Sequence, residues 1–526
     1  MKSLKFKIIF VLTALLFFTA CKKAFEDNSK NNNLPLSVPP GVVLRAVLGD
    51  LVVYPGGYED KADQYIASNY TYYGDNKYWT GSTGLNYGSL NNVLAMERLA
   101  SKAVKSDNNP YHALGLFLRA YFFVNMSEKV GDLPMTEALK GIDNVAPKYD
   151  SQKQIFKQSL QWLDSANTIL SGALAHGFAE FSGDFYYNPS DNSSSARAAL
   201  VNWQKVVNSY KLRVLIELSK RVDDGDLNVK SEFAKIVSNP SQYPIFTSNS
   251  DNLQYNYNDK YNYYPDNATN YGNNAGRLNL AATFLNTLSQ LHDLRAMVLA
   301  EPARGLPGFV SDIDYSSYLG APSGADLSYL ATESGAGRLS LYNYNHYYST
   351  LTAEPTFILS YPEVCFSIAE AINRGWITGS ADTWYQNGTK AMFDFYGIKD
   401  GNNVVTLRTK DGTGNLTYTV PFSFTSYFNQ PLVKYKGDNA DGLAQILTQK
   451  YLAYARNSGL QAYYQWRRTG IPHLETGPGN GNGGVIPKRF QYPSNELTVN
   501  GANLQAALQS QYGGKDDINA LMWLIK

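Results

Sequence analysis

Cysteine is nearly absent: Cys21 and Cys365 are the only two in 526 residues. Two cysteines cannot build a four-thiolate metal site, and they allow at most one disulfide, so packing has to hold the fold together. A chain of this length buries enough core for that. Charge is scarce as well. Asp, Glu, Lys and Arg make up 17% of the residues, and the formal net charge is +1. Beyond the amino-terminal segment there is no dense basic run, and pairs such as Arg467-Arg468 stand alone. Nucleic acid is therefore a poor partner for this chain, because it calls for a basic patch or stripe.

The usual signatures of catalysis are missing too. The histidines, His112, His176, His292, His346 and His473, are scattered, and no His-Glu-x-x-His stands among them. There is no Gly-x-Ser-x-Gly elbow and no glycine-rich phosphate loop. Glu363 and Glu370 share a predicted helix face and invite comparison with the carboxylate pair of a glycoside hydrolase. Seven residues of helix set them roughly 10 Å apart, at or beyond the far limit for such a pair. They read better as salt-bridge partners or solvated carboxylates. Asp251, Asp259 and Asp266 offer oxygen ligands suited to Ca²⁺, but their spacing is not that of an EF-hand. The expectation is a protein with no metal, no cofactor and no catalytic residue.

What the chain has in quantity is tyrosine, 40 residues of it, within an aromatic content of 13%. Flat rings beside short amide and hydroxyl groups suit a neutral polar ligand such as a sugar, whose ring has an apolar face. Most of these tyrosines belong to the core or simply to a hydrophilic surface. The candidates for ligand contact are those in polar, glycine-broken stretches. In Tyr70 to Tyr87 they are Trp79, Tyr73 and Tyr78; in Asn252 to Asn274 they are Tyr263 and Tyr264, beside Pro265. Their competing role is to pin these loops against the helices.

The amino end carries an export signal over residues 1–20: Lys2, Lys5 and Lys7, an apolar run from Ile8 to Phe18, then Thr19-Ala20-Cys21. The ending resembles a bacterial lipobox, with Phe18 in place of the usual Leu. Cys21 would then be the lipidated first residue of the mature protein, anchored in a membrane by more than one acyl chain. Lipidation would leave Cys365 as a buried small hydrophobe. Residues 21–35 are polar and read as a flexible tether; 36–526 read as one domain.

Helical periodicity is strongest in Pro110 to Asn125, where Leu114, Phe117, Leu118, Tyr121 and Phe122 recur at spacings of three and four. Pro110 suits a first helical position, Ala113, Gly115 and Ala120 allow a close neighbour, and Gly131 to Pro134 end the segment. Four helix pairs follow from such patterns, near residues 90–126, 155–222, 361–396 and 443–468. Leu278 to Leu288 is predicted helical, and Phe309 to Tyr348 mostly irregular. Val404 to Leu407 and Leu416 to Val420 make a hairpin around Asp411-Gly412-Thr413-Gly414; Gly479 to Gly484 is a flexible link. The predicted class is mostly α: a tetratricopeptide-like scaffold with long irregular loops and a small β-hairpin.

Several fragments in order resemble the SusD/RagB family of Bacteroidetes outer-membrane lipoproteins, in particular its SusD-like branch. They are the Cys21 boundary, ALGLFLRAYFFVNMSEKVGDLPMTEAL from Ala113, and Asp293-Leu294-Arg295, where the family often has Asp-Pro-Arg. YPEVCFSIAEAINRG from Tyr361, QKYLAYA from Gln449, YQWRRTGIP from Tyr464 and IPKRFQYPSNELTVN from Ile486 continue the series. The resemblance implies an outward-facing lipoprotein over a SusC-like TonB-dependent transporter. Such a protein captures glycans, or other nutrients, and delivers them for import without catalysing a reaction. Its sugar-contacting loops vary, so no ligand residue transfers directly. Two other readings are a lipid-anchored glycoside hydrolase and a structural lid or adhesin without direct sugar binding. The Pro110 helix is expected to hold the loops rather than to touch glycan.

Overall fold

The computed structural model describes residues 38–103 and 109–526, the side chains of Tyr73, Asn273 and Asn274 excepted. The 1–20 signal, Cys21, the 21–35 tether and linker residues Ser106 to Asn108 lie outside the described residues.

Eight helices carry the scaffold: α1 Tyr87–Ala103, α2 Pro110–Val130, α3 Gln152–His176, α4 Ala196–Glu217, α5 Tyr361–Asn373, α6 Ala381–Phe395, α7 Ala440–Ala453 and α8 Gln461–Thr469. They pack as a continuous tetratricopeptide-like array. α2 lies between α1 and α3, α3 packs on α4, and α4 meets α5; α5 then packs on α6 and α7, and α8 closes against α7 and α4. The helices carry one apolar stripe where one neighbour covers them and are buried all round where two do.

The α2 helix shows how the local sequence sets this up. Asn109 caps it, its side chain accepting from the Tyr111 N–H at 3.0 Å. A Cβ on Gly115 would stand 2.3 Å from the Glu97 carboxylate, so the glycine is what lets α1 approach. Glu97 in turn pairs with Arg119, and His112 lies on the same carboxylate at 3.4 Å. The helix runs a turn beyond the expected end near Asn125. Met126, Ser127, Glu128 and Val130 are buried, so the apolar period dissolves where the helix is enclosed on every side. Gly131, at φ 100°, then turns the chain away.

Two arginine–glutamate pairs bridge scaffold helices inside the core, where Lys450 is also buried and donates to the Ser367 hydroxyl. Arg213 of α4 donates through Nε and Nη2 to Glu363 of α5, each at 2.5 Å. Arg468 of α8 donates to Glu370 of α5 at 2.5 and 3.0 Å. Burial pushes the Glu370 carboxyl up, but the Arg468 charge and hydrogen bonds outweigh it and hold the group at about 2. The two glutamates thus tie α5 to α4 and α8, and neither faces a cleft as a catalytic pair would.

Among the described residues, six short strands form three two-stranded antiparallel ladders: β1 Ile66–Ser68 with β3 Leu278–Leu280, β2 Leu253–Tyr255 with β4 Thr356–Leu359, and β5 Gly401–Arg408 with β6 Asn415–Phe422. The last is the predicted hairpin. The segment predicted as one helix from Leu278 to Leu288 divides: Leu278–Leu280 pairs with β1, and a helix covers Ala282–Gln290. Residues 309–348 hold a helix, Leu327–Gly335, whose single buried side chain, Leu330, gives too weak a period to be read. Gly479 to Gly484, expected as a flexible link, runs through two 3₁₀ turns. The helices Pro40–Gly49 and Val229–Ser238 were not foreseen.

Candidate functional site

The loop between β1 and α1 does not lie flat on the scaffold. Its first half stands out as one wall of a groove of about 460 Å³; Ala325 to Leu327, with Pro478 and Gly479, form the other. Asn76 sets the first wall. Its side chain is buried, with Oδ1 accepting from the Ser68 N–H at 2.7 Å and Nδ2 donating to the Ser68 carbonyl at 2.9 Å. Asn69 fixes the base, donating to Asn279 at 2.7 Å and to Ser334 of the Leu327–Gly335 helix at 2.8 Å. The opposite wall depends on backbones in contact. A Cβ on Gly479 would fall 1.9 Å from the Ala325 carbonyl oxygen, which only glycine avoids. Asn480 locks that approach by donating to the Ser323 carbonyl at 2.9 Å.

Three exposed tyrosines adjoin lining residues in the chain without lining the groove themselves. Tyr72 follows the lining residue Thr71 and is 81% exposed. Tyr70 precedes it, with the Arg277 guanidinium 4.0 Å above its ring centre. Tyr329, 50% exposed, lies on the helix that begins at the lining residue Leu327. The lining charges are Asp75, Lys77 and Asp326: Lys77 pairs with Asp75 at 2.9 Å, and Lys61, outside the lining, donates to the Asp75 carbonyl. Burial pushes Asp75 up, but the Lys77 hydrogen bonds and charge outweigh it and hold the carboxyl below its ordinary value. The groove lining therefore presents hydroxyl, backbone and aliphatic surface with one Lys77–Asp75 pair and, among the described residues, no aromatic ring of its own.

The five predicted contact residues are not brought together. Trp79 is half-buried: its ring stacks on Phe490 with centroids 3.8 Å apart, and its indole N–H donates to the Arg489 carbonyl at 2.8 Å. Tyr78 is buried, donating to the Ala62 carbonyl and accepting from Gln64. Tyr264 is fully buried, stacked on Tyr347 and edge-on to Tyr257. These three therefore take the loop-pinning role, the competing one. Tyr263 is exposed but lines no part of the groove. Tyr73 ends the 3₁₀ turn Thr71–Tyr73, and its side chain is outside the description. Tyr70, Tyr72 and Tyr329 are the rings that sequence reasoning passed over. Nothing in the sequence separates Tyr72 from its neighbours, because the base of the loop is set by Asn69 and its distant partners Asn279 and Ser334.

Among the described residues no group of three or more His, Cys, Asp or Glu side chains could hold a metal ion. Two of the aspartates considered for Ca²⁺ are engaged elsewhere: Asp251 with Lys205 at 2.7 Å and Asp266 with Arg456 at 2.5 Å.

The family model described as "Starch-binding associating with outer membrane", SusD-like, matches residues 55–493. The chain belongs to the SusD-like family. Two SusD homologs from Bacteroides fragilis NCTC 9343 share its fold, at 28% and 27% identity with TM-scores of 0.79 and 0.75. Each match covers 93% of this chain and 100% of the other. A chitin-binding SusD homolog from Flavobacterium johnsoniae shares the fold at 19% identity and a TM-score of 0.67, covering 93% of this chain and 98% of its own. No curated protein matches the sequence. The fragments that signalled the SusD-like family are those whose charged and aromatic side chains are buried here: Glu363, Glu370, Arg468 and Phe490. They belong to the scaffold, whereas the groove is built from residues outside them. Among the described residues, no helix of this SusD-like protein is long and apolar enough to cross a membrane.

Proposed function

We propose that this SusD-like protein captures neutral glycans at the outer-membrane surface and passes them to a SusC-like TonB-dependent transporter. The observation that supports the reading is the groove between Thr71–Lys77 and Ala325–Leu327, with exposed Tyr70, Tyr72 and Tyr329 on residues adjoining its lining and a Lys77–Asp75 pair within it. A tyrosine ring at the groove's edge can cover the apolar face of a pyranose, and the lining Thr71 and Asp326 side chains suit its hydroxyls. An open groove admits a chain of sugars, which suits a polymer or oligomer. Binding proceeds without turnover, since Glu363 and Glu370 are both committed to arginines. Lipid attachment at Cys21 would hold the protein at the membrane.

Starch and chitin fragments are the first ligands to test, because the family is described as starch-binding and one structural relative as chitin-binding. Isothermal titration with maltoheptaose and chitohexaose, extended to a panel of neutral oligosaccharides, is expected to give saturable binding to at least one and no released product. Failure across the whole panel would remove the glycan assignment. Co-purification of a TonB-dependent transporter from the native membrane, lost on Cys21→Ala, tests the partner and the anchor together.

A further inference from the structure

The β5–β6 hairpin has one covered edge and one open edge. On β5 the Arg408 N–H donates to Glu301 at 3.0 Å, and the Thr406 carbonyl accepts from Asn343 and Asn345, each at 3.2 Å. β6 packs on β5, and the register shows which of its backbone groups face away. Arg408 lies opposite Asn415 and turns its N–H out of the ladder. Leu407, Val405 and Asn403 therefore exchange hydrogen bonds with Leu416, Tyr418 and Val420. The N–H and C=O groups of Asn415, Thr417 and Thr419 then point outward, and they make no hydrogen bond among the described residues. All three side chains are exposed.

Edge strands are usually blunted by charge, a bulge or a proline. Here Asn415 to Val420 hold no charged residue and no proline, and the register with β5 runs unbroken to the end of both strands. An exposed, uncharged edge of this kind is a template for another strand. Read antiparallel against itself about Thr417, β6 is self-complementary. Thr417 meets a second Thr417, and Asn415 and Thr419 meet each other, so every outward N–H faces a C=O and about six hydrogen bonds form. A residue on a two-fold axis meets its own copy, so a charge there would repel itself, whereas paired threonines attract. On the inner face Leu416, exposed at this edge, comes against the other copy's Tyr418. The pairing is also bounded. Pro421 has no N–H to give, and Thr413, which it would face, already donates to Asp411 at 3.1 Å. A charged strand would find no counter-charge between Asn415 and Val420, so the occupant that fits is the neutral strand itself.

We propose that the open edge of β6 is a self-association surface, on which a second copy of this chain adds its own β6 to make a four-stranded sheet about a two-fold axis at Thr417. The inference does not depend on the glycan reading, because no residue of the hairpin lines the groove. The test is sedimentation velocity of the full chain in mild detergent over a concentration series, with Cys21→Ala so that acyl chains take no part. A reversible dimer is expected. Thr417→Pro removes an outward N–H, and Thr417→Lys sets two ammonium groups across the axis. Each should raise the dimer dissociation constant tenfold or more. Asn402→Lys places the same charge on β5 of the same hairpin and should stay within twofold of the parent. Thr417→Lys keeps the strand's N–H, and a melting temperature close to the parent's confirms that the hairpin folds. Amide exchange at Asn415, Thr417 and Thr419 should slow as the dimer forms. The proposal is overturned if the chain stays monomeric up to about 1 mM. It is overturned equally if both Thr417 variants dimerise like the parent, or if those amides exchange as fast in the dimer as in the monomer.

Discussion

Trp79 and Phe490 lie face to face, their ring centroids 3.8 Å apart and their planes 11° from parallel. The contact joins the loop before α1 to the carboxyl-terminal segment 411 residues later, and Tyr463 closes on the Trp79 ring edge-on at 5.1 Å. A tryptophan held in this way anchors the base of the groove wall. Trp79→Ala should lower stability by about 3–5 kcal/mol, the usual cost of deleting a large packed aromatic. Denaturant titration of the two proteins checks it. A loss below about 1 kcal/mol would mean that the ring is available for other uses.

Tyr72 and Tyr329 should behave in the opposite way. Both rings are exposed, so Tyr72→Ala and Tyr329→Ala should leave the melting temperature within a degree or two of the parent's. Each should weaken oligosaccharide binding by about 0.5–1.5 kcal/mol, the value of one aromatic contact beyond area burial. Calorimetry on the single and double variants measures this, and unchanged affinity in the double variant would take both rings out of the site.

Gly479 offers a test through the backbone. An added Cβ would meet the Ala325 carbonyl oxygen at 1.9 Å, so Gly479→Ala must push the 478–480 turn away from Ala325 and deform that wall. Oligosaccharide affinity should fall at least as far as in Tyr72→Ala, with the helical circular dichroism of the scaffold retained. A variant that binds like the parent would show that the 478–480 turn does not shape the site.

The buried pair of Arg468 and Glu370 predicts an asymmetric pattern. Arg468→Met alone leaves Glu370 with only the half-buried Arg374, and should cost about 3–5 kcal/mol. Adding Glu370→Leu removes that stranded charge and should recover part of the loss, the rest remaining with Glu217, which faces Arg468 at 3.6 Å. Urea unfolding of both variants is the measurement, and equal or additive losses would contradict the pairing.

Glu128 gives a pH dependence. Burial, then the nearby Glu217 charge, pushes its carboxyl up to about 8, so the folded protein keeps a proton that the unfolded chain releases near pH 4.5. Stability contributed by this group is therefore present below pH 4.5 and is lost as the pH rises towards 8. Glu128→Gln cannot lose it. Thermal melts from pH 5 to 8 should show the parent falling relative to the variant, and parallel curves would contradict a proton on Glu128.

The scaffold was legible in the sequence because it rests on local patterns. The α5 helix begins at Ser360, whose side chain accepts from the Glu363 N–H, and continues through an apolar period that its buried side chains explain. The hairpin was legible because Asp411 organises its own turn, accepting from Thr409 and Thr413. The groove was not, because its shape comes from contacts between distant segments: Asn69 with Ser334, Asn480 with Ser323, Gly479 against Ala325. The Trp79 stretch was correctly read as a loop, but which of its rings turn inward depends on Phe490. Leu278–Leu280 went the same way: an apolar triplet before a helix becomes a strand because Ile66–Ser68 lies beside it.

The most direct test of the account is a crystal structure of the protein with the oligosaccharide that binds it most tightly in the titration panel. Density for successive sugar rings is predicted between Thr71–Lys77 and Ala325–Leu327, with a pyranose face against Tyr72 or Tyr329. An oligosaccharide bound elsewhere, with this groove holding only solvent, would contradict it.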